Sequence, residues 1–156
     1  MRRKDRLVAD SGELAGYLDS ADACRLAFAV AGEPYIVTLN FGYEWEGDYP
    51  VLFFHCAKQG RKLDMMRLNP RVCFQIDTGH ELMAEGPFCD WGMRFSSIVG
   101  YGLLGEVPDE EGRKKGLDLI VRHFGGDSRG QFSNGLFHAT TVLCLQVTEM
   151  TGKRKM

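Results

Sequence analysis

Residues 53–75, FFHCAKQGRKLDMMRLNPRVCFQ, read as a buried strand, a short loop, a helix opening on Gly60-Arg61-Lys62, and a second strand. Two cations at a helix start oppose the positive end of the helix dipole, at a cost of a few tenths to about 1 kcal/mol. They gain a purpose if a phosphate sits there, held by backbone N–H groups and by both side chains. The competing reading is a solvated basic turn, and this segment alone leaves both open. The helix is expected to stop at Asn69-Pro70, because a residue before proline avoids helical geometry.

Upstream, Asp10 followed by Glu13 has the form of a capping box with Asp in place of Ser or Thr, and Leu14, Leu18 and Ala21 recur at helical spacing. This predicts an amphipathic helix over 11–22. Residues 25–30 (RLAFAV) read as a strand, 31–34 as a turn, and 35–41 (YIVTLNF) as its hairpin partner. Residues 44–50 contain Gly-Asp and a proline and read as another turn before the strand at 51–56. Downstream, 71–76 is a strand, 81–84 a candidate further strand, and 85–94 mostly loop. Residues 95–107 form a long strand interrupted by glycine at 100, 102 and 105, which points to bulges or close backbone approaches. Pro108, Asp109, Glu110 and Glu111 open a helix in accord with its dipole; Leu117, Ile120, Val121 and Phe124 line its apolar face, and Gly125-Gly126 ends it. A polar loop over 126–139, a last strand over 141–149 and an exposed basic tail complete the chain.

That makes six or seven strands, with one helix inserted after the third and another before the last. The βαβ alternation of a doubly wound fold is missing, and so is G-x-G-x-x-G, which excludes a Rossmann reading. The class expected is mainly β: a mostly antiparallel barrel with peripheral helices.

The 156 residues suit one domain spanning 1–156, and 44% hydrophobic composition can build a core. A net charge of −2 argues against a general nucleic-acid binder. The apolar runs are too short for a membrane-spanning helix, and MRRKDR lacks the apolar stretch of a secretory signal, so a cytoplasmic location is expected. The cysteines at 24, 56, 73, 89 and 144 form no C-x-x-C pair; free thiols are the better reading over disulfides, and no zinc or other metal site is expected.

Several stretches together carry a resemblance: MRRKDR at the start, CRLAFA at 24–29, PYIVTLNFGY at 34–43, FHCAKQGRKLD at 54–64, NPRVCF at 69–74, CDWGMRFSSIVGYG at 89–102 and TEMTGKR at 148–154. In combination and order they resemble the pyridoxamine 5′-phosphate oxidase-like, flavin-binding split β-barrel superfamily, and within it the nitroimidazole-resistance family. The resemblance implies a homodimer with flavin mononucleotide (FMN) at the subunit interface. It implies that Arg61 and Lys62, with Lys58 and Gly60 beside them, grip the flavin phosphate. It also implies that Val37, Thr38, Leu39 and Asn40 lie along the flavin ring, and that Ser96 and Ser97 close the same pocket. His55 matches a histidine next to the flavin, where reduction of a nitro group is the activity usually proposed. No C-terminal Arg-x-His of pyridoxamine phosphate oxidase is present, so pyridoxamine phosphate is not the expected substrate. Residues 43–50 and 125–138 are more individual than the rest and are candidates for shaping the substrate mouth.

The residues themselves agree with a flavin. A phosphate monoester carries about two negative charges near neutral pH, which a guanidinium fork and an ammonium together nearly neutralise. The cofactor does the redox chemistry; the protein positions and tunes it. Strand alternation places Phe53 and His55 on one face and Leu52, Phe54 and Cys56 on the other. His55 is then either a hydrogen-bonded packing residue or a proton donor beside the flavin. Trp91 and Arg94 are either a packed indole and a surface cation or groups that cross the interface toward the partner's cofactor. Three functions follow for comparison. The first is an FMN-dependent oxidoreductase acting on a small electron-poor acceptor such as a nitro compound, with a reduced nicotinamide as donor. The second is a non-catalytic flavin- or haem-binding carrier or sensor, with His55 or His138 as a haem ligand. The third is a dimeric scaffold with an empty cleft.

Overall fold

The computed structural model describes residues 4–127 and 133–156. The first three residues of MRRKDR and residues 128–132 of the loop predicted over 126–139 lie outside the described residues. The strands are β1 (Leu7–Val8), β2 (Cys24–Val30), β3 (Glu33–Leu39), β4 (Gly42–Glu46), β5 (Tyr49–Ala57), β6 (Arg71–Met83), β7 (Gly92–Glu106) and β8 (Thr140–Lys155). The helices are α1 (Ser11–Asp19), α2 (Arg61–Leu68), α3 (Glu110–His123) and α4 (Asn134–Ala139). One sheet runs in the order β3-β2-β6-β7-β8-β5-β4, with β1 paired to β8. Every pairing among the described strands is antiparallel. The expected class, a mainly β antiparallel split barrel with peripheral helices, is the one found; β3 and β4 end the path and do not pair with each other.

The Asp10 cap expected from sequence forms, and the acidic opening expected for α3 proves to hold a cap of the same kind at Asp109. Asp10 accepts from the Glu13 N–H at 2.8 Å, and Asp109 accepts from the Gly112 N–H at 2.7 Å. α2 ends before Pro70, and its C-cap Asn69 is extended. Gly125, at φ 76°, closes α3 in the left-handed geometry that favours glycine.

Some boundaries differ from expectation. Residues 44–50 are not one turn: Tyr43, Glu44 and Trp45 pair with Leu52, Val51 and Pro50, so only Gly47 and Asp48 turn. The two pieces expected at 71–76 and 81–84 are one strand, β6, irregular between Thr78 and Glu81, where Gly79 has positive φ. The basic tail is not loose. β8 continues to Lys155 because β7 and β1 supply partners, and Gly152 is buried there. The predicted polar loop contains α4, whose Phe137 is buried. Among the described residues the count is therefore eight strands instead of six or seven.

The main core fills the barrel with Leu26, Phe41, Leu52, Phe54, Phe74, Ile76, Ile98, Leu143 and Leu145. A second cluster, Phe53, Ile120 and Val142, sits under α3 on the other face of β5. The alternation read in VLFFHC is thus realised, because a strand between two layers must bury both faces. Gly116 is what lets α3 approach: a Cβ there would lie 2.8 Å from Val142 Cγ1 and 2.9 Å from Phe53 Cδ1. The apolar face of α3 is narrower than read, since Val121 and Phe124 are exposed while Ile120 is buried. The bulge expected in β7 lies on its partner instead: Tyr101 pairs with Glu149 and Gly102 with Val147, so the extra residue is Thr148 of β8. Gly100 and Gly102 lie against the carbonyls of Glu149 and Gln146.

The outward side of the sheet is left uncovered by helices over a broad region. The register rows Ile36–Ala27–Cys73–Tyr101 and Thr38–Arg25–Gln75–Val99 run across β3, β2, β6 and β7 on this side. Ile36 is 65% exposed, Leu103 49%, Val99 42% and Tyr101 40%.

Candidate functional site

β5 leaves the barrel, turns through Lys58-Gln59-Gly60 and starts α2 at Arg61. Gly60 has φ 143° and ψ 161°, and α2 carries no side-chain cap. The Gly60 carbonyl accepts from the N–H groups of Leu63 and Asp64, so the helix winds directly from it. The amides ahead of those two face out of the helix start and suit an anion. Arg61 is exposed, with its guanidinium 4.8 Å from the Tyr35 ring centroid and 3.3 Å from a Glu33 carboxylate oxygen. Both partners belong to β3, so the helix start and β3 form one locus. Sequence patterning missed Glu33 and Tyr35, whose link to Arg61 exists only through the fold.

β3 is paired on one edge only, which leaves main-chain groups of its other edge available to a ligand. Of the four residues expected along the flavin ring, Val37 and Leu39 pack against the core. Thr38 is exposed in the row of Arg25. The Asn40 side chain donates to the Asp22 carbonyl at 2.9 Å, so it braces the loop before β2. Of these groups, the free edge of β3 and Thr38 are the ones left open to a ligand.

Ser96 and Ser97 point to opposite sides of β7. Ser97 donates to the Lys153 carbonyl at 3.5 Å and is registered opposite Asp77. Ser96 is opposite Thr78 and lies beside Tyr17. Beside Ser97 runs a polar cluster. Asp77 pairs with Arg25, accepts from the Gln75 amide at 2.9 Å, and is 2.9 Å from His80 Nε2. Trp91 and Arg94 lie at the far end of the β6–β7 hairpin. The Trp91 indole donates to the Gly86 carbonyl at 3.2 Å and meets Phe88 edge-on, and Arg94 pairs with Glu81 at 3.0 Å.

His55 is exposed and faces a cleft of about 360 Å³, where Leu117, Ile120, Val121, Leu136 and Phe137 supply the apolar wall and Thr140 a hydroxyl. It is not a buried packing histidine. Lys58, in contrast, borders a separate cleft with Glu106 and Thr141.

The cysteines are all free. Burial pushes the Cys24, Cys73 and Cys144 thiols up. Burial also raises Cys56, with Lys62 pulling the other way.

An uncapped helix start, the Arg61 guanidinium and the open edge of β3 lie together and fit a flavin phosphate, while Lys62, next in sequence, is half-buried and acts on Cys56. Glu33 holds Arg61, so a phosphate would have to compete with it, and Asp64 adds a second carboxylate in the first turn of α2.

A family model described as pyridoxamine 5′-phosphate oxidase matches residues 10–154. No curated protein matches the chain. Among solved structures, the chain is similar to a candidate 5-nitroimidazole antibiotic resistance protein from Bacteroides thetaiotaomicron. The identity is 30% and the TM-score 0.81, covering 95% of this chain and 86% of that one. It also shares its fold with a flavocytochrome from Azotobacter vinelandii, at 19% identity and TM-score 0.81, over 100% of this chain and 72% of that one. An FAD- and haem-binding protein from Mycobacterium smegmatis matches at 15% identity and TM-score 0.83, over 96% of this chain and 73% of that one.

Proposed function

The chain belongs to the pyridoxamine 5′-phosphate oxidase family, and from that premise we propose that it is an FMN-dependent oxidoreductase for a small electron-poor acceptor such as a nitroimidazole. The observation that carries this reading is the meeting of the α2 start with the open edge of β3, where Arg61 lies over Tyr35. The similarity to the Bacteroides protein, whose description names 5-nitroimidazole resistance, supports the acceptor class.

When bound, the flavin supplies hydride or electron transfer. Arg61 and Lys62 hold the phosphate, and the β3 edge orients the ring. His55 stands at an apolar cleft from which it can hand a proton to an acceptor. An absorbance spectrum of the purified protein, with mass spectrometry of whatever heat releases, tests the cofactor. Flavin bands and the mass of the mononucleotide are expected. A colourless protein that also refuses added flavin would overturn the reading. His55→Ala is expected to leave flavin bound and to lower acceptor reduction by about 10²-fold or more, the usual scale for a lost proton donor. Equal turnover, with a reduced nicotinamide as donor, would remove His55 from the chemistry.

We further propose a homodimer formed through the uncovered sheet face. The exposed apolar side chains Ile36, Val99, Tyr101 and Leu103, spread over three adjacent register rows of this face, suit an isologous contact, in which a strip meets its own copy. Leu103→Glu is expected to convert a dimer into monomers by sedimentation, since it places a charge in the apolar strip of both copies. Unchanged mass would move the interface elsewhere.

A second reading is a non-catalytic haem- or flavin-binding carrier. The exposed His55 beside an apolar cleft favours it, and two fold relatives carry haem or cytochrome in their descriptions. A Soret band lost in His55→Ala would select it.

A further inference from the structure

The cleft that Lys58 borders is not used by the flavin contacts above. Its volume is about 380 Å³, and its lining includes Lys58, Glu106, Val107, Pro108, Thr140 and Thr141. Arg113 also borders it, but its guanidinium is already committed: it donates to the carbonyls of Phe137 at 2.7 Å and Thr140 at 2.8 Å. Arg113 therefore fixes the wall, while Lys58 is exposed and makes no ion pair among the described residues.

We propose that this cleft binds the adenosine 5′-phosphate half of a dinucleotide. The proposal rests on the flavin reading for the adjoining phosphate site. Lys58 and Gly60 are two residues apart, so their Cα atoms are separated by at most about 7.6 Å. A phosphate on Lys58 would thus lie beside one at the start of α2. Glu106 is held in place by Arg67 at 2.8 Å and presents the acidic acceptor that suits a ribose diol. Val107 and Pro108 form an apolar shelf for a purine, and Thr141 edges the cleft beside Thr140, whose hydroxyl is already donated to the Leu136 carbonyl at 2.8 Å. With Lys58 and Arg113 against one carboxylate, the cleft favours an anion. The same moiety occurs in flavin adenine dinucleotide and in a reduced nicotinamide dinucleotide.

The test is titration of the flavin-free chain with 5′-AMP, flavin mononucleotide and flavin adenine dinucleotide, in the parent and in Lys58→Ala and Glu106→Gln. AMP is expected to bind the parent and to bind each variant at least tenfold more weakly. If the adenylate belongs to the flavin, the dinucleotide binds at least tenfold tighter than the mononucleotide, and Lys58→Ala removes that ratio. If it belongs to the donor, the two flavins bind alike, and AMP competes with the reduced nicotinamide dinucleotide on the FMN-loaded protein. The proposal is overturned if AMP does not bind, or if Lys58→Ala weakens both flavins equally and leaves AMP unaffected. Failure of the flavin reading itself would look different: the mononucleotide would not bind the parent, whatever AMP does.

Discussion

The double variant Arg61→Ala, Lys62→Ala is expected to bind FMN at least a hundredfold more weakly than the parent. Each side chain would give a charge-assisted contact to a phosphate near two negative charges, and such contacts are worth roughly 1.5–3 kcal/mol each. Neighbouring contacts do not add exactly, so the lower end of their sum, about 3 kcal/mol, sets the expectation. Arg61 is exposed and its present partner Glu33 is also exposed, so that ion pair contributes little to stability. The variant should therefore melt like the parent, and a loss of binding would report on the site and not on folding. Glu33 supplies the control. It competes for Arg61, so Glu33→Gln should bind flavin at least as tightly as the parent. Fluorescence titration of all three proteins at two salt concentrations decides the matter. Equal affinity in the double variant would return Gly60-Arg61-Lys62 to a solvated turn.

The barrel was legible because its signals are local. Alternation in VLFFHC, a proline after Asn69, the acidic cap at Asp10 and the acidic opening of α3 each act through neighbouring residues. What was missed depends on partners distant in sequence. TGKRK has no strand pattern of its own; it is extended because Ser96 and Ser97 stand opposite Arg154 and Lys153. EWE at 44–46 reads as part of a turn because its Gly-Asp and proline neighbours dominate the local signal, yet β5 provides the ladder that makes it a strand.

The candidate site divides the same way. The resemblance named the cations at α2, and the structure adds the reason they meet β3, through Tyr35 and Glu33. A one-residue step along a strand reverses the side chain, so Ser96 and Ser97, matched together from sequence, cannot both face one pocket. The Asp77 cluster with Arg25 and His80 had no sequence signal, since its members sit on two strands and beside an irregularity in the second.

Gly42→Ala is expected to destabilise the fold by about 3 kcal/mol, near the upper end for overpacking. Gly42 is buried in β4, opposite Phe53. A Cβ built there would lie 2.3 Å from the Leu119 carbonyl carbon and 2.4 Å from the Ile120 nitrogen. Those atoms are helix backbone, so they cannot swing aside as a side chain could. Relief requires α3 to lift, and lifting exposes Ile120, Phe53 and Val142, the cluster it covers. At about 2–4 °C per kcal/mol for a chain of this size, the melting temperature should fall by roughly 6–12 °C. Gly105→Ala is the matched control: it also lies in a strand, but a Cβ there meets nothing within 4 Å. It should stay within about 0.5 kcal/mol of the parent. Thermal melts of the three proteins give the answer directly. If Gly42→Ala melts with Gly105→Ala, α3 does not rest on β4. Because Leu117 and Ile120 of α3 also wall the His55 cleft, a lifted helix should impair acceptor reduction even where the protein remains folded.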